Sequence, residues 1–214
     1  MASLVSVNVS LPVTVETGGG PVVTGIFKKP VEGKVNLAGY NLAGDRQADL
    51  TVHGGPYKAV YGYASEHYDF WREQFPDKEM PWGMFGENLT TEGLLEGDLR
   101  IGDRLRIGTT LLQVSQPRMP CYKLALKFNR SDMVKRFWAS GRAGFYFSVV
   151  EEGELQKGDA IVREAEGAPA ISISEVVSLY RNRTPAREAM ERAIASPLAP
   201  SWKEEFRERL AMAR

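Results

Sequence analysis

Arg104-Leu105-Arg106-Ile107-Gly108-Thr109-Thr110-Leu111-Leu112-Gln113-Val114-Ser115 is the stretch on which the fold turns. Leu105 and Ile107 alternate with Arg104 and Arg106, the period of two expected of a strand with one buried face. Gly108-Thr109 reads as a turn, and Leu111, Leu112 and Val114 resume the apolar pattern. Similar short runs extend in both directions. Upstream are Leu4, Val5, Val7 and Val9, then Val13 and Val15, then Val22, Val23 and Ile26 around Gly18-Gly19-Gly20, then an aromatic and β-branched segment from Lys58 to Tyr63. Downstream, Phe145, Phe147 and Val149 alternate with Tyr146, Ser148 and Val150, and Ile161-Val162 gives a last strand. Many short strands with glycine punctuation predict a mainly β fold with some α, built as a closed or partly closed barrel.

Two helices are predicted to interrupt the strands. Ser65 is placed to cap one that runs to about Phe75 and stops at Pro76. Ser131-Asp132 precedes Met133 to Ser140, with Gly141 as the stop. Glu164–Pro169 reads as a small-residue, acidic linker, and everything beyond it reads as helix. Ser172-x-x-Glu175 and Ser201-x-x-Glu204 fit capping boxes. Thr184-Pro185 offers a cap followed by proline at the first helical position. The predicted organisation is a β-barrel domain over 1–166 and a three-helix domain over 171–214. The tail's apolar positions, including Val176, Leu179, Met190, Ile194, Phe206 and Leu210, are few for a separate core. It should therefore pack on the barrel, on a second subunit or on an electron-donor protein.

Composition narrows the function by exclusion. In 214 residues, 27 Lys+Arg balance 27 Asp+Glu. A chain without net charge has no global electrostatic reason to bind nucleic acid or an anionic membrane. Trp71, Trp82, Trp138 and Trp202 are scattered and do not form a base-stacking platform. No apolar run approaches ~18 residues, the length of a membrane span. The start, MASLVSVNVS, lacks a basic n-region and a long apolar stretch. A cytoplasmic protein with no membrane partner is expected. With one Cys and two His, an internal disulfide is impossible and a Cys/His zinc site would need nearly every available ligand. Fingerprints for dinucleotide binding, a phosphate loop, a serine nucleophile elbow and a zinc helix are all absent.

Three clusters could carry chemistry. Cys121 sits in Gln116-Pro117-Arg118-Met119-Pro120-Cys121-Tyr122-Lys123-Leu124, where two prolines predict an extended loop. Arg118 and Lys123 flank the sulfur, and nearby cations favour the thiolate, the form that attacks or ligates metal. A buried, inert cysteine is the alternative. Gly44-Asp45-Arg46-Gln47-Ala48-Asp49-Leu50-Thr51-Val52-His53-Gly54-Gly55-Pro56-Tyr57-Lys58 gathers both charges beside paired glycines. His53 there could ligate, move a proton or satisfy a carbonyl. A solvated hairpin turn is the plainer reading. Phe85-Gly86-Glu87-Asn88-Leu89 offers acceptors and an amide, or simply a turn before a strand. His67, inside the first helix, reads as structural.

These clusters, with Lys58-Ala59-Val60-Tyr61 and Ile101-Gly102-Asp103, resemble the MOSC domain, in particular its YiiM-like branch. The helical tail from about Ile171 is similar to the three-helix domain appended in that branch. The resemblance spans nearly the whole chain; only Tyr57 is an unusual choice. It implies a β-barrel that binds molybdenum cofactor, with Cys121 supplying a thiolate to molybdenum. It implies reduction of N-hydroxylated compounds, N-hydroxylated purines among them, and a separate electron-donor reductase, a flavoprotein, since the chain has no flavin or nicotinamide motif. Cys121, His53 and Glu87 would be catalytic, with Asp49 a further candidate for proton delivery. Asp49, Gly54, Gly55, Lys58, Asn88, Arg118 and Lys123 would hold the cofactor, the basic residues cradling its phosphate. The family also has an association with pyridoxal phosphate. A purine substrate would want an apolar wall, for which Tyr57, Trp82, Phe85 and Tyr122 are candidates. The competing expectation is a carrier of molybdenum cofactor, or of sulfur on Cys121, without turnover. A homodimer is the expected assembly.

Overall fold

The computed structural model describes residues 1–48, 54–182 and 184–212. Strands β1 (Ser3–Val9), β2 (Val13–Thr17), β3 (Gly20–Thr24), β4 (Lys29–Val31), β5 (Val35–Ala38) and β6 (Asn41–Leu42) come first. Next are β7 (Val60–Ala64), helix α1 (Glu66–Gln74), β8 (Leu89–Glu92), and the hairpin strands β9 (Arg104–Ile107) and β10 (Thr110–Pro117). Helices α2 (Tyr122–Phe128) and α3 (Met133–Ser140) precede β11 (Phe145–Glu151), β12 (Gly153–Leu155) and β13 (Ile161–Ala165). The tail holds α4 (Ile173–Arg181), α5 (Arg187–Ala195) and α6 (Pro200–Met212).

Eight strands form the main sheet in the order β13-β9-β10-β11-β7-β8-β1-β4. The β9–β10 hairpin has the register expected from its alternation, with Leu105 opposite Leu112. Every pairing in this sheet is antiparallel except β7 with β8. Parallel neighbours need a long crossover, and α1 lies within this one. As a ladder the sheet is open, so of the closed or partly closed barrel expected, continuous pairing does not give the closed form. Its ends meet at one isolated bridge, Ser3 to Ala160, supported by Ile161 N–H to Ala2 O at 2.9 Å. The reason is competition for β1: Val7 to Val9 pair with β4, leaving only the start of β1 for the approach to β13.

Both faces of the central strands are buried. On one side Leu4, Val7, Leu112, Val114, Phe145 and Phe147 form the larger core. On the other, Tyr61, Tyr63, Trp71, Phe85, Phe128 and Phe137 pack under α1, α2 and α3. Gly62 lets Phe145 cross β7: a Cβ there would stand 2.4 Å from its ring. Among the described residues no helix is long and apolar enough to cross a membrane.

Met133–Ser140 is found as expected, with Gly141 left-handed at its end. Ser65 stands at the start of α1, but its hydroxyl does not cap it; it faces the Glu66 carboxylate at 3.3 Å instead. The Ser172 capping box is complete: Ser172 Oγ accepts from Glu175 N–H at 3.1 Å and Glu175 Oε2 accepts from Ser172 N–H at 2.8 Å. Ser172→Ala is expected to cost about 1 kcal/mol, read as a lowered urea midpoint. The second box is not formed, because α6 begins at Pro200 and takes Ser201 into its first turn; proline suits that first position. α5 begins at Arg187, after Pro185 and with an uncapped Ala186 before it. Helix α2 was not anticipated, since its seven residues follow directly on Pro120-Cys121.

The expected linker is not a loose spacer. Its first residues belong to β13, and Gly167 N–H donates to Asp103 Oδ1 at 2.7 Å. Ile101 N–H reaches Ile171 O and Ile173 N–H reaches Leu99 O, both at 2.9 Å. Of the packing partners considered for the tail, it uses the sheet: Val176, Leu179, Met190, Trp202 and Phe206 belong to the same apolar cluster as the strands.

Candidate functional site

β10 ends at Pro117, and Arg118-Met119-Pro120 carry the chain across the sheet end to α2. Cys121 is the residue before α2, extended at φ −121° and ψ 170°, with its thiol half-buried. Beside it opens a cleft of about 660 Å³, its mouth included, onto which Gly54, Lys58, Asn88, Arg118, Cys121 and Lys123 all face. Six of the residues expected at the site thus converge from three separate stretches of chain. Gly55, left-handed like Gly54, does not face the cleft. Asp49 and His53 lie outside the described residues.

Arg118 is the most constrained cation of the cleft. It is 6% exposed, and its guanidinium carbon stands 4.9 Å from the Tyr61 ring centre and 5.2 Å from that of Phe137. Its Nη1 has no hydrogen-bond partner among the described residues. Register explains its neighbours. Gln116, Tyr146 and Tyr61 are directly opposed across β10, β11 and β7, so their side chains share one face. Tyr61 and Tyr146, which the sequence reading did not select, both line the cleft, with rings 5.2 Å apart. Burial raises both phenols. Lys123 is buried as well, and burial lowers the Lys58 amine.

Two polar groups expected at the site are engaged with the scaffold. Asn88 spends its amide on the scaffold: Oδ1 accepts from Tyr61 N–H at 3.2 Å, and Nδ2 donates to Asp45 Oδ2 at 2.9 Å. Glu87 does not face the cleft; it is fully buried behind it. Its Oε1 accepts from Gly83 N–H at 2.8 Å, Thr90 Oγ1 at 3.0 Å and the Tyr68 hydroxyl, and its Oε2 accepts from Phe85 N–H at 3.0 Å. The reason is the turn itself: residues 83–87 curl back so that the carboxylate collects their own amides. His67 is structural as expected, its Nε2 2.7 Å from Glu96 Oε2.

The expected aromatic wall is also redistributed. Trp82 and Phe85 pack on Tyr68, at 4.6 and 5.1 Å between ring centres. Tyr57 and Tyr122 are exposed, and Tyr57 lines a second cleft against α6. Ile26, Tyr61, Met119 and Tyr146 supply the apolar side instead.

Further cations surround the cleft. Arg46 is exposed on its rim, and Lys28 faces it while paired to the buried Asp45. Lys127 lies behind, donating to Ile26 O at 2.8 Å and to Gly83 O. Desolvation pulls its amine down to about 8 from the ordinary 10.5. An unfolded lysine keeps its proton up to the higher value, so between pH 8 and 10.5 the unfolded chain binds more protons and folding stability rises with pH. Relative to Lys127→Met, which does not titrate, the wild-type protein should gain about 1–3 kcal/mol across that window. Urea midpoints of both proteins at pH 8 and pH 10 measure it; a constant difference would refute the lowered amine.

Comparison with known proteins gives the family. The family model described as "MOSC domain" matches residues 49–162, and that described as "YiiM-like, 3-alpha helix domain" matches residues 171–213. YflK of Bacillus subtilis (strain 168) is 41% identical over 205 residues, covering 95% of this chain and 92% of that protein. A protein of Gibberella moniliformis (strain M3125 / FGSC 7600) named Reductase is 32% identical over 91% of this chain, which spans 35% of that longer protein. The crystal structure of YiiM from Geobacillus stearothermophilus superposes with a TM-score of 0.82 at 37% identity, covering 98% of this chain and 100% of that one. The chain therefore belongs to the MOSC-domain family, in the YiiM-like branch that carries the three-helix domain.

Proposed function

We propose that this chain is a molybdenum cofactor-dependent reductase of N-hydroxylated compounds, supplied with electrons by a separate flavoprotein. The observation that carries the reading is the donor set of the cleft. It presents the chain's single thiol, and among the described residues no group of three or more His, Cys, Asp and Glu could hold a metal ion. On this reading Cys121 serves a metal that arrives with its other ligands attached, and a soft thiolate suits one already bound by sulfur. Other features fit a bulky anionic group. Lys58, Lys123 and Arg46 line the cleft with positive charge. Gly25 and Gly86 keep the wall close-fitting, since a Cβ would stand 2.5 Å from Arg46 O and 2.8 Å from Ile26 Cγ1 respectively.

When bound, the cofactor supplies the two-electron couple that reductive N–O cleavage needs. The balanced reaction is R–NHOH + 2 electrons + 2 protons to R–NH2 + H2O. On this reading Cys121 ligates the metal, while Gly54, Lys58 and Lys123 hold the anionic part of the cofactor. Asn88 and Glu87 fix the floor, and His53 and Asp49 remain the candidates for moving protons. The name of the Gibberella relative supports the reductive direction. We assign residues 1–166 the cofactor-binding role, in a barrel-like sheet, and residues 171–214 a supporting one.

Anaerobic purification followed by molybdenum and pterin analysis tests the reading, together with an assay on a hydroxylaminopurine and an artificial electron donor. Stoichiometric molybdenum with amine product is expected. Stoichiometric molybdenum without reduction would favour the carrier, and failure to take up the cofactor would overturn both.

A further inference from the structure

Arg118 is a buried cation with no carboxylate paired to it among the described residues. Its electrostatic neighbours are Tyr61, Tyr146 and Cys121, none of them a carboxylate. A guanidinium held away from water is costly to leave unpaired, and here one of its donor atoms, Nη1, is both buried and unused. The Tyr146 hydroxyl stands against the same guanidinium. A guanidinium has no acceptor, so the phenolic proton cannot be spent on Arg118. No other acceptor takes it among the described residues. The Tyr61 hydroxyl differs, because it donates to Ala143 O at 3.0 Å. Two uncommitted donors, one charged and one neutral, thus belong to side chains that line the cleft next to Cys121.

We infer that Arg118 Nη1 and the Tyr146 hydroxyl form an oxyanion subsite beside Cys121, one that takes a single charged or charge-developing oxygen of a small ligand. Such donors are strongest where water is excluded and the charge is localised. On the reductase reading the ligand oxygen is that of the N–O bond being broken; this placement rests on the proposed function, whereas the subsite itself does not.

The cofactor-free protein tests it. Iodoacetate and iodoacetamide both alkylate the Cys121 thiolate, the sulfur attacking the methylene carbon and displacing iodide. They differ in that the first carries a carboxylate. The thiolate fraction cancels in the ratio of the two rates, so the ratio reads the oxyanion subsite and not the acidity of the thiol. In the wild-type protein the ratio should exceed that of 2-mercaptoethanol by about tenfold or more. Arg118→Gln should abolish that excess and Tyr146→Phe should lower it about threefold, while Tyr61→Phe leaves it within twofold. Lys123→Gln should also stay within twofold, which separates a directed subsite from a general positive field. Tyr146→Phe keeps the ring and its packing, so it decides the matter even if Arg118→Gln fails to fold, as a melting curve would reveal. A wild-type ratio equal to that of 2-mercaptoethanol, an unchanged ratio in Tyr146→Phe, or an equal fall in Lys123→Gln and Arg118→Gln would each overturn the subsite. Absence of molybdenum or of turnover would leave these ratios untouched, so the two readings fail separately.

Discussion

Cys121→Ala is expected to lose ~10³-fold or more in turnover, about 4 kcal/mol of transition-state stabilisation, in a protein that still folds. The thiol is half-buried and makes no capping hydrogen bond to α2, so its removal costs the fold little. What it removes is the chain's single thiol, which lines the cleft. Turnover should be measured per molybdenum atom bound, with a melting curve on the same sample. Wild-type turnover in the alanine variant, with cofactor retained, would sink the thiolate ligation.

Glu87→Ala is expected to cost stability instead, by about 3–5 kcal/mol, a large share of what a domain has. Four donors lose their acceptor at once: the amides of Gly83 and Phe85 and the hydroxyls of Tyr68 and Thr90. Each buried donor left unmade costs roughly 1 kcal/mol or more. Glu87→Gln keeps one carbonyl oxygen but turns an NH2 towards one of these donors, so it should cost about half as much. Chemical denaturation of the three proteins checks the order. A glutamine variant as stable as wild type but without turnover would return Glu87 to the role of proton carrier.

Much of the fold was legible because it obeys simple periods. Arg104 to Val114 alternates, and the hairpin follows. Ser172 and Glu175 stand three apart ahead of an apolar run, and the capping box follows. The open ladder was hidden because the choice between β4 and β13 as neighbours of β1 is made by pairing across more than a hundred residues. At the site, Cys121, Arg118, Lys123, Lys58 and Gly54 could be found because glycine, cation and thiol are conspicuous in loops. The burial of Glu87 was not legible because Gly-Glu-Asn resembles an exposed turn, and nothing local says that the turn closes on its own carboxylate. Tyr61 and Tyr146 were overlooked for the opposite reason: in a strand, an aromatic residue looks like core. Only the register of β7, β10 and β11 brings them to Arg118.

The position of β1 has a consequence for biosynthesis. In chain order this strand precedes every strand it pairs with and is completed late. Val7 pairs with Val31 on one side and with Leu89 on the other, while Ser3 waits for Ala160. At a translation rate of ~5–20 residues per second, β1 spends roughly 5–15 s with one edge unpaired before β8 is available. Its sequence, SLVSVNV, is rich in valine, uncharged and free of proline, the kind of edge that recruits other chains. Yield in a cell should therefore respond to chaperone supply and growth temperature more than the stability of the finished protein would suggest.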